Sequence, residues 1–127
     1  MAILGSKHVL GMGSRINLNN ELARGAKAFH NYDRLVSEIS AKNMIEALKA
    51  LGEGINLLSD VLGRILQAVE MEINALIQMK TKYADYFKKN PEAHDELNVV
   101  IQDLRALMSK ITSLTENVRT ESQRLAA

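Results

Sequence analysis

Two runs of apolar residues that repeat every seven positions, one on each side of Asn90-Pro91, constrain the fold most. In the first run, one row contains Ala41, Leu48, Ile55, Leu62, Val69, Leu76 and Tyr83, and a second contains Met44, Leu51, Leu58, Ile65, Met79 and Tyr86. The second run contains Leu97, Leu104, Ile111, Val118 and Leu125, with Val100, Leu107 and Leu114 beside them. Seven residues make two helical turns, so each run predicts one narrow apolar stripe along a long helix, as in a coiled coil.

The residues between the two runs are those of a helix stop followed by a helix start. Lys88 and Lys89 place positive charge at the end of the first helix. Asn90 is a favourable cap for the second helix, and Pro91 fits its first turn. We therefore expect an all-α fold, a long antiparallel coiled-coil-like hairpin with helices at about 41–88 and 92–125.

The amino-terminal part predicts an arm and a shorter additional helix. Glycine, serine and asparagine are frequent in 1–20, which favours an extended or flexible Gly-rich arm. Residues 22–39 carry a short helical stripe that falls out of register with the main stripe at Asn43, so a break or bend is expected between Ser37 and Asn43. Residues 21–127 should form a single helical domain.

Composition limits both the core and the partners. Aromatic residues are only 4% of the chain and tryptophan is absent, so a thin aliphatic core between two or three helices is expected. Sixteen basic and fifteen acidic residues leave a formal charge of +1, which argues against a nucleic-acid partner. No segment is long and apolar enough to span a bilayer, and none resembles a cleavable signal peptide.

Residues that carry chemistry do not form a recognisable site. Of the three histidines only His30 has a potential ligand, Asp33, at helical spacing, which is too few for a metal site. The absence of cysteine excludes disulfides and thiolate ligands. We expect no catalytic, cofactor-binding or metal-binding residues, and therefore no enzyme.

Two glutamates interrupt the apolar stripes, Glu72 in the first helix and Glu121 in the second. A charge on a coiled-coil seam destabilises it but can fix register or partner choice. The interpretation we favour is that each side chain reaches solvent at the edge of a shallow groove.

The predicted helices differ in length, and this difference suggests an interface. The second helix can cover the first only to about Ile55, so either the segment 22–39 or another chain must cover the remaining stripe. The predicted self-association surface comprises Met44, Leu48, Leu51, Ile55, Phe29, Tyr32 and Val36. The predicted hairpin core comprises Leu62, Val69, Leu76, Tyr83, Leu97, Leu104, Leu107, Ile111, Leu114 and Val118.

Several short motifs resemble the amino-terminal helical region of bacterial flagellins. They are Arg15-Ile16-Asn17 with Gly25 eight positions on, Gly54-Ile55 with Gly63 nine positions after Gly54, and Ile101-Gln102 opening an apolar-periodic helix. The likeness extends over about 13–118. The turn at Lys89-Asn90-Pro91 also looks like the hairpin of type III secretion needle subunits. Both resemblances imply helical hairpins that are exported without a cleaved signal and stack into tubes, with neighbours covering the unmatched stripes and the arm.

The leading hypothesis is a non-enzymatic, self-associating helical protein, the subunit of an exported extracellular or cell-surface filament. Its partners would be copies of itself, with a secretion chaperone as a further candidate. The first alternative is a cytoplasmic coiled-coil adaptor or secretion chaperone that pairs with one partner helix. A lower-ranked alternative is a protein that coats a lipid surface or a granule through the same apolar stripe.

Overall fold

A computed structural model describes residues 10–40, 46, 50, 52 and 54–126. It confirms the all-α class, and no strand occurs within that part of the chain. The four helices described are α1 (Met12–Ile39), α2 (Gly54–Lys82), α3 (Ala84–Lys89) and α4 (Pro91–Ala126).

The three long helices enclose one hydrophobic core. The most extensive packing is between α2 and α4, and α1 packs against both of them. Lys80 Nζ of α2 donates a hydrogen bond to Asn98 Oδ1 of α4 over 3.0 Å. Farther from the turn, Ile73 and Ile77 share a groove with Arg105 and Met108. The heptad positions of both helices, among them Leu62, Leu76 and Leu104, lie in one core, as the seven-residue repeat requires.

A polar contact and a close backbone approach both hold α1 in place. Lys110 Nζ of α4 donates to Asp33 Oδ1 at 3.0 Å and to Ser37 Oγ at 2.6 Å, both on α1. Eight residues before Asp33, Gly25 faces α2 and α4 together. A Cβ at this position would lie 3.0 Å from Leu76 Cδ1 and 3.0 Å from Val100 Cγ1. A side chain here would therefore require Leu76 and Val100 to shift, or α1 to move away from the other two helices.

The predicted arm is partly helical, which corrects its boundary. Helix α1 begins at Met12, ten residues before the predicted start, and residues 1–9 lie outside the described residues. The glycines and asparagines of this segment have low helix propensity. Leu18 nevertheless belongs to the core, and Leu10 and Leu22 pack against it. Burial of this apolar face outweighs the weak propensity.

The predicted helix 41–88 is interrupted twice. Gly52 has φ +71°, a left-handed conformation that a right-handed helix cannot contain, and helix resumes at Gly54. Glu46 and Ala50 are helical, and the other residues of 41–51 lie outside the described residues. Tyr83, with φ −109° and ψ 32°, separates α2 from α3.

From Gly54 onward, the helix formed by the first apolar run is shorter than the helix formed by the second. Helix α2 has 29 residues, and α4, predicted to be the shorter partner, has 36. At about 1.5 Å per residue these lengths are roughly 43 and 54 Å. Within the described residues, α4 and α1 together cover the inner face of α2.

Two helical glycines in different surroundings test the close approach of α1. Gly63 has nothing within 4 Å of an added Cβ, so Gly63→Ala should raise the free energy of unfolding by about 0.5–1 kcal/mol through helix propensity. Gly25→Val should lower it by about 1–3 kcal/mol, because the added atoms overpack the contact with Leu76 and Val100. Urea unfolding followed by circular dichroism measures both changes. A Gly25→Val variant as stable as the wild type would show that α1 does not approach this closely.

Candidate interaction surface

Chemistry-bearing side chains do not cluster in the described residues. No group of three or more histidine or acidic residues that could hold a metal ion occurs among them. Within the same residues, no helix has the length and apolar character needed to cross a membrane.

The ten residues of the predicted hairpin core all lie in the one hydrophobic core. Each is buried, and eight of them are among the most completely buried large side chains of the described residues: Leu62, Val69, Leu76, Leu97, Leu104, Leu107, Ile111 and Val118. Core residues also come from α1, namely Leu18, Val36 and Ile39. All three long helices therefore contribute to the core, with most of its residues on α2 and α4.

Residues of the predicted self-association surface have different positions, and two must be removed from it. Ile55 is 2% exposed and Val36 is fully buried, both inside a single chain. Phe29 and Tyr32 are partly buried and pack against the same core. Ile55 and Val36 belong to the core that α1, α2 and α4 form within a single chain, so another chain cannot reach them. The three other predicted residues, Met44, Leu48 and Leu51, lie outside the described residues.

Substitutions at two nearby residues of α2, Ile55 and Leu57, distinguish burial inside one chain from burial at an interface between chains. Ile55→Ala should lower the free energy of unfolding by about 2–5 kcal/mol even in dilute solution, because it leaves a cavity in the core. Leu57→Ala should change it by less than about 0.5 kcal/mol, since Leu57 is 66% exposed. Chemical denaturation at two protein concentrations checks this. A cost for Ile55→Ala that appears only at high concentration would place Ile55 in an interface between chains.

A second heptad row runs along the outside of α2, next to α1. We call it the outer row, and its positions, spaced alternately by four and three residues, are Leu57, Val61, Arg64, Ala68, Met71 and Ala75. Leu57, Val61 and Met71 are 66%, 43% and 72% exposed. Positions with this spacing share one face of a helix. Helix α2 therefore carries two apolar faces, one in the core and one uncovered.

The outer row adjoins a groove between α1 and α2. The groove has a volume of about 280 Å³ and is lined by Arg24, Lys27, Ala28, Asn31, Tyr32, Ala68 and Glu72. Alanines on both helices keep its floor shallow. Leu35, one turn beyond Tyr32 on α1, is also exposed and extends the apolar surface along the groove.

Glu72 lies at the edge of this groove in an unfavourable electrostatic environment. Burial raises the pKa of its carboxyl above the ordinary value of 4.5, the nearby charge of Glu21 raises it further, and Arg24 lowers it. Its Oε2 is buried without a hydrogen-bond partner among the described residues. The other seam glutamate, Glu121, is paired with Arg124 Nη1 at 2.9 Å. The two glutamates that interrupt the stripes therefore have different environments.

A polar and aromatic cluster lies at the opposite end of the bundle. Lys80, Lys88 and His94 surround a hollow of about 280 Å³ that is also lined by Ala84 and Phe87. The ring of Phe87 contacts those of Tyr86 and His94 at centroid distances of 5.4 and 6.0 Å. The hollow is open to solvent, and its rings consolidate the turn between α3 and α4.

Comparison with protein-family models, curated proteins and solved structures gives no significant match. The fold itself defines the class, an all-α protein with three long helices around one aliphatic core. Sequence reasoning missed the outer row because Arg64 and two alanines interrupt its apolar character. The four-and-three spacing of Leu57, Val61 and Met71 with those alanines was the available signal.

Proposed function

We propose that this chain is a non-enzymatic helical protein that works by associating with copies of itself through the outer row of α2. The observation that supports the proposal is a heptad-spaced apolar face left uncovered on a helix whose other apolar face is already buried. Contiguous apolar surface of this kind marks protein interaction sites. The surface differs from the one predicted by sequence, since Ile55 and Val36 serve the core.

The rigid unit in this proposal is the antiparallel hairpin of α2 and α4, with α1 packed on it. Two observations support the antiparallel direction. Lys80, near the end of α2, contacts Asn98, near the start of α4. Ile73 and Ile77 lie with Arg105 and Met108, farther from the turn on both helices. A rigid hairpin presents the outer row as a straight face with little entropic cost on binding.

The outer row is complementary to itself when two copies of α2 run antiparallel. Centring a two-fold axis between Arg64 and Ala68 places Leu57 opposite Ala75 of the other copy. Met71 then lies opposite Val61, and the aliphatic stem of Arg64 lies over the small Ala68. Large side chains therefore meet small ones along most of the row, as interdigitated helix packing requires.

The expected affinity is modest. From Leu57 to Ala75 the row is roughly 27 Å long at 1.5 Å per residue. One such helix face buries less than the roughly 800 Å² per partner of a standard stable interface. We therefore expect a single contact to dissociate at roughly micromolar concentrations or above. Stable assembly requires several such contacts acting together.

Repeated contacts of this kind occur in helical filaments, which the flagellin and needle-subunit resemblances also imply. We propose an exported extracellular filament as the setting in which many weak helix contacts act together. The predicted surface residues Met44, Leu48 and Leu51 could then add contacts between neighbouring chains. The chief alternative, an adaptor, would use the outer row for one helix of a different protein.

Replacing two residues of the outer row tests the proposal. Leu57→Gln/Val61→Gln should abolish concentration-dependent association, because it removes the two large apolar side chains at one end of the row while keeping good helix formers. Sedimentation velocity over a wide concentration range measures the association, and negative-stain electron microscopy of the concentrated wild type shows whether filaments form.

Val99→Gln is the matched control, because Val99 is 58% exposed but lies on α4, away from the outer row. It should associate as the wild type does. A wild type that remains monomeric at every concentration would contradict self-association and favour the adaptor. Association that survives Leu57→Gln/Val61→Gln would place the contact elsewhere.

A further inference from the structure

Two partly buried glutamates, Glu21 of α1 and Glu72 of α2, lie near the same arginine, because Arg24 is ion-paired with Glu21 and lines the groove with Glu72. Glu21 of α1 has a side chain only 12% exposed, and its Oε2 is buried without a hydrogen-bond partner among the described residues. Glu72 Oε2, on α2, is also buried without a hydrogen-bond partner among the described residues. Two partly buried carboxylates that share one partly exposed arginine destabilise an interface when both are charged.

We propose that Glu21 and Glu72 form a proton-operated clamp, which holds α1 more tightly against α2 when Glu72 is protonated. Protonation removes the repulsion between two negative charges. It also gives Glu72 a hydroxyl group that can donate a hydrogen bond to a carboxylate. The proposal goes beyond self-association and does not depend on it, because the clamp acts within one chain.

The charged groups around Glu72 only partly offset the repulsion between Glu21 and Glu72, so the contact is sensitive to pH. From α1, Arg24 Nη1 lies 3.5 Å from Glu21 Oε2, and Lys27 lines the same groove as Glu72. Arg24 is 67% exposed, so water screens much of its compensating charge. One compensating arginine at the surface leaves part of the repulsion between the glutamates in place.

The other elements packed against Glu72 add no counter-charge. On α2, the residues three and four positions away on either side are uncharged, namely Ala68, Val69, Ala75 and Leu76. On α4, Arg105 lies in the groove with Glu70 and Asn74, on the other side of α2. Among the described residues, Arg24 and Lys27 of α1 therefore supply the positive charge near Glu72, and protonation of Glu72 relieves the repulsion that remains.

The direction of the effect follows from the raised pKa of Glu72. Because the folded chain binds this proton more tightly than the unfolded chain, the clamp's contribution to stability is complete below about pH 4.5. It is lost as the pH rises through the higher pKa of the folded state. At neutral pH the folded chain carries a charge that burial disfavours, and α1 is held less tightly.

Replacing Glu72 with an uncharged isostere tests the clamp in dilute, monomeric protein. Glu72→Gln should raise the midpoint of thermal unfolding at neutral pH by about 2–4 °C, and the difference should vanish below about pH 4.5. Hydrogen exchange at neutral pH should slow in the amides of α1 around Glu21. Arg24→Gln should have the opposite effect at neutral pH, since Arg24 lowers the pKa of Glu72.

Glu70→Gln is the matched control, because Glu70 is exposed on the same helix and faces away from α1. It should follow the wild type at every pH. The proposal is overturned if Glu72→Gln is no more stable than Glu70→Gln at neutral pH. The Glu72 side chain of the wild-type chain can also be titrated directly by nuclear magnetic resonance. A titration midpoint at or below pH 4.5 would overturn the proposal.

Discussion

The close packing of α1 at Gly25 is the constraint on which the rest of the structure depends. The absence of a side chain there lets Leu76 of α2 and Val100 of α4 approach the α1 backbone together. Helix α1 can then pack against both α2 and α4, with Val36 and Leu18 buried in the core. Each helix gains two partners, so a chain with few aromatic residues still encloses a continuous aliphatic interior.

Covering the seam within one chain changes where association can occur. A two-helix hairpin would need another chain to cover its apolar stripe, whereas this bundle has covered it with α1. The apolar surface that remains lies on the outside of α2, along the outer row, and it is narrower than the core face. The association that we propose is therefore a weak, repeated helix contact, compatible with a stable monomer. The glutamates between α1 and α2 make the internal contact, rather than the outer one, sensitive to protons.

Heptad spacing identified the core residues because a helix that buries one face must repeat its apolar side chains at that period. The boundaries were harder to predict. Met12–Asn20 contains residues of low helix propensity, and only tertiary contacts of Leu18 and its neighbours make it helical. Gly52 fits a helix or a break equally well by sequence, and its positive φ depends on where the chain must turn. The role of Gly25 could not be seen at all, because it depends on which two helices meet there.

The most direct test of the central claim asks whether α1 covers the seam of its own chain. Lys110 Nζ and Asp33 Oδ1 are 3.0 Å apart, close enough for a zero-length amide cross-link by carbodiimide. The reaction should be run on a mixture of unlabelled and nitrogen-15-labelled chains that have been unfolded and refolded together. Mass spectrometry should then find the cross-linked peptide pair with both halves unlabelled or both labelled. Peptide pairs that combine one labelled and one unlabelled half would show that another chain covers the seam, contrary to this account.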